Sequence, residues 1–470
     1  MRRMILCLSA GLLRPKKRDT PFARRHRYLN FGLLTLATAL ASDGHDVRMV
    51  HGDFSAPAEL ALELARSLDS SSALLLLSLP SYLAVPWARL FLSTFRPLCP
   101  HVRVVVGGRW VVKRDGSWIR RQMPQVDLVV YGTAETRVPL LVKLEDWSRL
   151  PGTDLFEGDY VEDSHNPYVH LQYTLIDDFT RFPPSVEVSR GCGMGCGFCD
   201  ERGGSAAVLR DPGAIMTSVR RTLGQYRTSD LRFYFEASLF QPTRAWAERL
   251  SHGLKAESLQ IKWRCETRID TFDIDLLPLL AETGLRIIDF GLESASPKQL
   301  LAMGKTADPQ RYLRNASAVL WRCRDLGIWP KVNVMLFAGE TSDTVDQTLE
   351  WLECHRSCIK GISAGPVIVY GHSRDAEAYL SVLSELGAVP VSAGGLECSA
   401  VTHLHLSREI DHNRAMSISD AVSRAFMTDR DYFDLKDQSY FDRSYSLQEF
   451  LSDISEMPED QLPFTVTKLV

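Results

Sequence analysis

Apolar residues fall in short dense runs, separated by stretches where they recur every third or fourth position. Met4–Ser9, Asp46–His51, Ala73–Ser78, Arg103–Val106 and Asp127–Tyr131 read as strands. Phe31–Ser42, ending at Gly44, reads as a helix, as do Pro57–Leu68 and Pro86–Phe95. The last two open on proline, which the first helical position tolerates. Strands alternating with helices predict a doubly wound parallel sheet, here a Rossmann-like α/β domain over residues 1–145. In such sheets a ligand sits at the carboxyl ends of the strands. Residues 146–184 are acidic and rich in Pro and Gly, without a clear period, and predict a linker.

The strand–helix alternation resumes over residues 185–375. Ser185–Ser189, Leu231–Glu236, Gln260–Cys265, Leu285–Phe290, Lys331–Phe337 and Ala364–Tyr370 are its strands. Six βα units predict a partial (β/α)6 barrel with its active groups at the strands' carboxyl ends. Residues 376–470 hold a helix (Ala376–Leu386), three histidines (His403, His405, His412) and an aromatic tail. They predict a small α-rich cap over the barrel mouth, with the histidines structural.

Composition narrows the function classes. The chain has 470 residues, 45% of them hydrophobic and 24% charged, as in ordinary globular proteins. A net charge of −4 gives no case for nucleic-acid binding. Arg2 and Arg3 precede an apolar stretch, but no small-residue cleavage site follows it. The longest apolar runs fall short of the about 20 residues that span a bilayer. A cytoplasmic enzyme with a small-molecule substrate, and no membrane or nucleic-acid partner, is expected. The basic stretch from Arg14 to Arg27 reads as a solvated loop, with an anion contact as the alternative.

The chemistry concentrates at Cys192, Cys196 and Cys199, spaced C-x3-C-x2-C among glycines 191, 193, 195 and 197. Three thiolates on one loop can hold three irons of a [4Fe–4S] cluster and leave the fourth open. Zinc and half of a disulfide framework are the alternatives. Structural zinc usually takes two spaced pairs, and no second C-x2-C occurs.

This loop, with Phe198 before the third cysteine, resembles the signature of the radical S-adenosylmethionine (SAM) superfamily. Later runs extend the resemblance: Arg264–Asp270; Asp289-Phe290-Gly291-Leu292-Glu293-Ser294; Met303-Gly304-Lys305; and Asn333 with Phe337–Thr341. The resemblance implies that SAM chelates the open iron and is split into methionine and a 5′-deoxyadenosyl radical. It also implies cofactor contacts at Phe198, Glu236, Arg268, Gly291, Glu293, Ser294 and Asn333. Arg268 would pair with the SAM carboxylate. Leu336 and Ala338 replace the usual Gly and Pro of the fifth-strand pattern, and Phe235-Glu236-Ala237-Ser238 replaces the usual Gly-Gly-Glu.

The first domain resembles the cobalamin-binding fold of one subgroup, through loops at Ser78–Leu83, Gly107-Gly108 and Tyr131–Glu135. Ser78, Gly107 and Gly108 are its candidate contacts. The D-x-H-x-x-G motif is absent, which leaves cobalamin binding open. The chain also resembles the aminoglycoside-pathway radical SAM diol dehydratases. That resemblance implies hydrogen abstraction from an amino sugar or similar natural-product intermediate, followed by dehydration or oxidation. The alternative is a cobalamin-dependent radical methyltransferase. Glu236, His372 and Tyr440 are the candidate catalytic side chains. An external flavodoxin- or ferredoxin-like electron donor is implied, and in the dehydratase reading a reductase acting on the product.

Overall fold

The computed structural model describes residues 4–16, 18–68, 74–111, 116–132, 134–135, 138–142, 169–199, 208–371, 374–391 and 401–467. His372 lies outside the described residues. The chain forms two compact units, 1–182 with 371–373, and 183–370 with 374–470.

The first unit carries five parallel strands in the order β2-β1-β3-β4-β5. They are β1 (Met4–Ser9), β2 (Asp46–His51), β3 (Leu74–Ser78), β4 (Arg103–Gly107) and β5 (Leu128–Val129). Every residue of β3 is buried, the mark of a strand covered on both faces. The helix Phe31–Ser42 begins where the Asn30 side chain accepts from the Leu33 N–H, at 3.1 Å. That cap satisfies one of the orphan donors at the helix start. Register aligns the carboxyl ends: Ser9 pairs with both His51 and Ser78, and Ser78 with Gly107.

Residues 169–182, inside the stretch expected to be a linker, fold onto this unit. Tyr173 is fully buried, Ile176 bridges to Met49, and Asp177 takes a bidentate pair from Arg48. The acidic composition that suggests a linker is here partly a set of ion-pair partners.

The second unit carries six parallel strands in sequence order. They are β6 (Ser185–Glu187), β7 (Arg232–Glu236), β8 (Lys262–Arg268), β9 (Leu285–Glu293), β10 (Trp329–Leu336) and β11 (Gly361–Pro366). Strands β8 and β9 run three residues past their expected ends, so Arg268 and Glu293 are strand residues. Pairing with neighbours holds them there: Arg268 faces Gly291, and Glu293 faces Val334 after a register shift in β10. Burial alternates along β7 and β10, so one face of the sheet is packed and the other lines a partly open interior. The helix His412–Ala425 covers the edge strand β11, with Ala364 N donating to Ser423 Oγ at 3.2 Å.

The C-terminal region does not act as a single cap over the barrel mouth. The helix Asp429–Asp437 closes the opposite end, where the strands begin. Leu435 O accepts from Arg264 at 3.1 Å, Asp437 O from Arg232 at 3.0 Å, and Asp434 pairs with Lys360 at 3.1 Å. Tyr432, Phe433, Phe441, Phe450 and Phe464 form an aromatic core beneath it. Residues 374–410 supply a different packing surface, with Leu383, Leu404 and Leu406 packed beside Met303, Leu336 and Phe337. Among the described residues no helix is long and apolar enough to cross a membrane.

Candidate functional site: a cysteine loop at the carboxyl end of a parallel barrel

The cysteine loop leaves β6 directly. At its base the Glu187 carboxylate accepts from Arg190 at 2.9 Å and also from Arg210. Gly191 and Gly193 take left-handed backbone angles, φ 81° and 69°, that strain any residue with a Cβ. Gly197 N donates to Met303 O at 2.8 Å, which fastens the loop to the Met303-Gly304-Lys305 run. Cys196 is buried, Cys192 and Cys199 are half-buried, and none of the three is in a disulfide.

Among the described residues no three His, Cys, Asp or Glu side chains converge as a single-ion site requires. Three thiolates on a cubane each bind a different iron, so a cluster does not require them to converge on one ion. Arg268 Nη1 lies 3.0 Å from Cys196 Sγ, which ties the end of β8 to the cysteine loop.

The rest of the guanidinium is committed elsewhere. Arg268 Nε and Nη2 each lie 3.0 Å from Asp270, and Nη2 donates to Lys305 O at 2.5 Å. Its expected pairing with a SAM carboxylate would therefore have to displace Asp270. Here Arg268 ties the end of β8 to the cysteine loop and to the Lys305 turn.

Glu293 ends β9 in the left-handed region, φ 66°. Such a conformation costs a non-glycine residue about 1 kcal/mol or more and tends to mark a working position. Its Oε1 accepts from Lys305 Nζ at 3.0 Å, and Lys305 is itself buried. A Cβ on Gly291 would lie 2.7 Å from Glu293 Oε1 and 3.1 Å from Lys305 Nζ, so glycine keeps that pair intact. The Lys305 ammonium stands 5.6 Å over the Phe198 ring, which links the cysteine loop to β9. Tyr312 donates to Gly291 O and Leu292 O, at 3.1 and 2.9 Å, and clamps the strand end.

Other expected residues divide. Ser294 is 1% exposed; its hydroxyl lies 3.0 Å from Thr348 Oγ1 and accepts from Ser296 N. It joins the strand end to the helix Ser342–Cys354, and its hydroxyl is not turned to a cofactor. Asn333 faces the interior and accepts from Lys331 Nζ at 3.0 Å.

Glu236 ends β7. Burial pushes its carboxyl up to about 7, and Glu266 and Glu187 add to this against a hydrogen bond from Ser185. Tyr440 lies at the closed end of the barrel, 5.0 Å under the Arg264 guanidinium, and not at the mouth. It lies in the turn after the helix Asp429–Asp437, which docks on strand starts, so the structure does not bring Tyr440 to the cysteine loop.

Ser78, Gly107 and Gly108 are brought together at the edge of the first unit's sheet. Asn30 Nδ2 donates to Ser9 Oγ at 2.9 Å and Ser78 Oγ at 3.0 Å, across the point where strand order reverses between β1 and β3. Gly108, φ 103°, serves the chain's own packing, since a Cβ there would meet Ser78 Oγ at 2.6 Å and Leu79 N at 2.7 Å. At Gly132, φ 72°, no described atom lies within 4 Å of where a Cβ would stand.

His51, at the end of β2, is half-buried and accepts from Asn30 N at 3.1 Å. Burial, with the nearby Arg27 charge, pulls its imidazole down to about 3, so it is neutral. Its ring packs 4.5 Å from Phe182, and it is not turned out as a ligand.

Residues that the sequence left without a role prove central. Lys305 was legible only as a position in a motif, and Tyr312 and Asn30 carried no signal beyond helix periodicity and capping.

These features define the class: a parallel six-stranded barrel whose first strand delivers a three-thiol glycine loop to the carboxyl edge. Residues 186–352 match the Radical SAM superfamily. This segment is a radical SAM domain, and the domain implies a [4Fe–4S] cluster and SAM. A stretch of 167 residues, 35% of this chain, is 26% identical to an uncharacterized methyltransferase of Pyrococcus horikoshii. That stretch spans only 36% of the relative's length.

Among solved structures, the radical SAM methyltransferase TsrM of Kitasatospora setae, with tryptophan substrate and a SAM analogue bound, has a TM-score of 0.64. The match covers 90% of this chain and 89% of that one, at 15% identity. The cobalamin-dependent SAM radical enzyme OxsB, with aqua-cobalamin and SAM bound, has a TM-score of 0.57 at 17% identity. That match covers 82% of this chain and 55% of OxsB. The chain thus contains a radical SAM domain, and its fold, with the first unit included, is like that of TsrM and OxsB.

Proposed function

We propose that this chain is a cobalamin-dependent radical SAM methyltransferase acting on a small polar molecule inside the barrel. The observation that carries the radical reading is the three-thiol loop, held by Arg268 and the Met303 turn at the carboxyl end of β6. The likeness of both units together to TsrM supports methyl transfer over the dehydration read first from the sequence. No feature of the barrel favours loss of a hydroxyl.

When bound, the cluster supplies the electron that cleaves SAM. The chain's part is to hold Cys192, Cys196 and Cys199 on their loop and to keep the Glu293–Lys305 pair beside Phe198 for the SAM amine or ribose. Cobalamin fits the first unit's edge, where Gly132 is open and the strand ends lie in register. The Nε2 of His51 is taken by the Asn30 N–H, and its Nδ1 is enclosed without a hydrogen-bond partner among the described residues. A flavodoxin- or ferredoxin-like donor supplies the electron.

The test is an anaerobic assay of the reconstituted protein, expressed with cobalamin and freed of unbound small molecules. Retained cobalamin, with both S-adenosylhomocysteine and 5′-deoxyadenosine formed, is the expected result. A cluster without retained cobalamin, giving 5′-deoxyadenosine and methionine alone, would restore dehydration or oxidation.

A further inference from the structure

Strand β8 sets its side chains alternately on two faces. Trp263, Cys265 and Thr267 are buried on the packed face, with Trp263 Nε1 donating to Thr283 O at 2.9 Å. Arg264, Glu266 and Arg268 share the interior face. Arg264 touches the closed end through Leu435, and Arg268 touches Cys196. Glu266 stands between them, one inward step, about 7 Å, below the residue that reaches the cluster ligand.

The cations on this interior are already assigned. Asp289 takes Arg264 on one oxygen and Lys331, at 2.9 Å, on the other. Lys331 also donates to Asn333, and Arg268 pairs with Asp270. Glu266 is left with no ion pair among the described residues. It accepts a side-chain hydrogen bond from Tyr234 OH at 3.3 Å, and solvent still reaches it.

The Glu266 side chain is exposed on the interior face, so a cationic ligand can reach the carboxylate without displacing an ion pair. Desolvation by the surrounding barrel and the nearby Asp289 charge push its carboxyl upward, partly offset by Lys331.

We infer that Glu266 is a specificity-determining residue that receives a protonated amine of the substrate, with Tyr234 as its hydrogen-bond partner. This rests on the radical SAM reading and narrows its substrate to an amine-bearing small molecule. An ammonium bound there lies below the cluster loop, so the carbons attached to it face the site where the radical forms. Substrate position along the barrel is then set by one ion pair.

The experiment is isothermal titration of the cluster-reconstituted full chain with matched amine and alcohol pairs. The probes are glucosamine and glucose, tryptamine and indole-3-ethanol, cyclohexylamine and cyclohexanol. At least one amine is expected to bind about tenfold or more tighter than its alcohol, the scale of one charge-assisted bond. Glu266→Gln should abolish that preference, and Glu266→Asp should keep part of it. The cluster absorption band of each variant reports that the barrel is intact.

Equal binding of amine and alcohol in all three pairs, or an undiminished preference in Glu266→Gln, would overturn the inference. SAM cleavage by the wild-type protein is scored separately. Its failure would sink the radical reading and leave the amine measurement standing.

Discussion

Two parallel sheets in this chain follow the same strand–helix alternation and end with opposite surfaces. In the first unit β3 is buried at every residue, and the carboxyl edge is locked by Asn30, Ser9, Ser78 and the close approach of Gly108. In the second unit burial alternates along β10, and charged side chains from β8, β9 and β10 line the interior. A sheet covered by helices on both faces has only its edge to offer a ligand. A sheet curved into a partial barrel has an inner face as well, and polar groups there must pair with one another or with a substrate.

Removing the chemistry itself gives the largest effect on the comparison. Cys196→Ala should abolish the cluster absorption band and 5′-deoxyadenosine formation, as followed by anaerobic spectroscopy and chromatography. Normal product formation would end the cluster assignment.

Next comes the buried charge of the barrel. Asp289→Ala leaves the Arg264 guanidinium, 0% exposed, without its counter-ion. That should cost about 3–5 kcal/mol in denaturant unfolding, the range for breaking a buried pair. The pH dependence has a definite sign. Although burial alone would raise it, the Arg264 and Lys331 charges hold the Asp289 carboxyl down to about 2 in the folded state. Its stabilisation is therefore present above the unfolded value near 3.9 and is lost as pH falls through about 2. Wild type and variant should converge in stability at the acid end.

A smaller effect separates the two edges directly. Gly108→Ala forces a Cβ to 2.6 Å from Ser78 Oγ at a positive φ, and should cost about 1–3 kcal/mol. Gly365→Ala has nothing within 4 Å to meet and should change stability by less than about 0.5 kcal/mol. Equal losses in thermal unfolding would erase the distinction between a locked edge and an open interior. Smallest of all, Tyr440→Phe at the closed end should leave 5′-deoxyadenosine formation within about twofold of wild type, since Arg264 keeps its pair with Asp289. A loss above tenfold would return Tyr440 to the catalytic candidates.

Much of this molecule is legible in one dimension. Met4–Ser9, Phe31–Ser42 and Asp46–His51 have the bounds that their apolar periodicity predicts, because local pattern and burial agree there. The cysteine loop is legible because its ligands lie within eight residues, and the glycines beside them record the backbone turns that the loop needs.

Where pairing partners are distant in sequence, the reading stops short. The extension of β8 to Arg268 depends on Gly291, and that of β9 to Glu293 depends on β10. The placement of Tyr440 depends on Arg232 and Lys360 receiving the helix Asp429–Asp437.

The sequence by itself determined the alternation of strands and helices, the thiol loop and the order of the strand-end motifs, since each is written in neighbours a few residues apart. Only the tertiary structure decided that Asp289 absorbs two cations, that Arg268 is spent on Asp270 and Cys196, and that Glu266 has no ion pair among the described residues. Charge balance inside a barrel is a sum over many strands, and no single segment of sequence carries it.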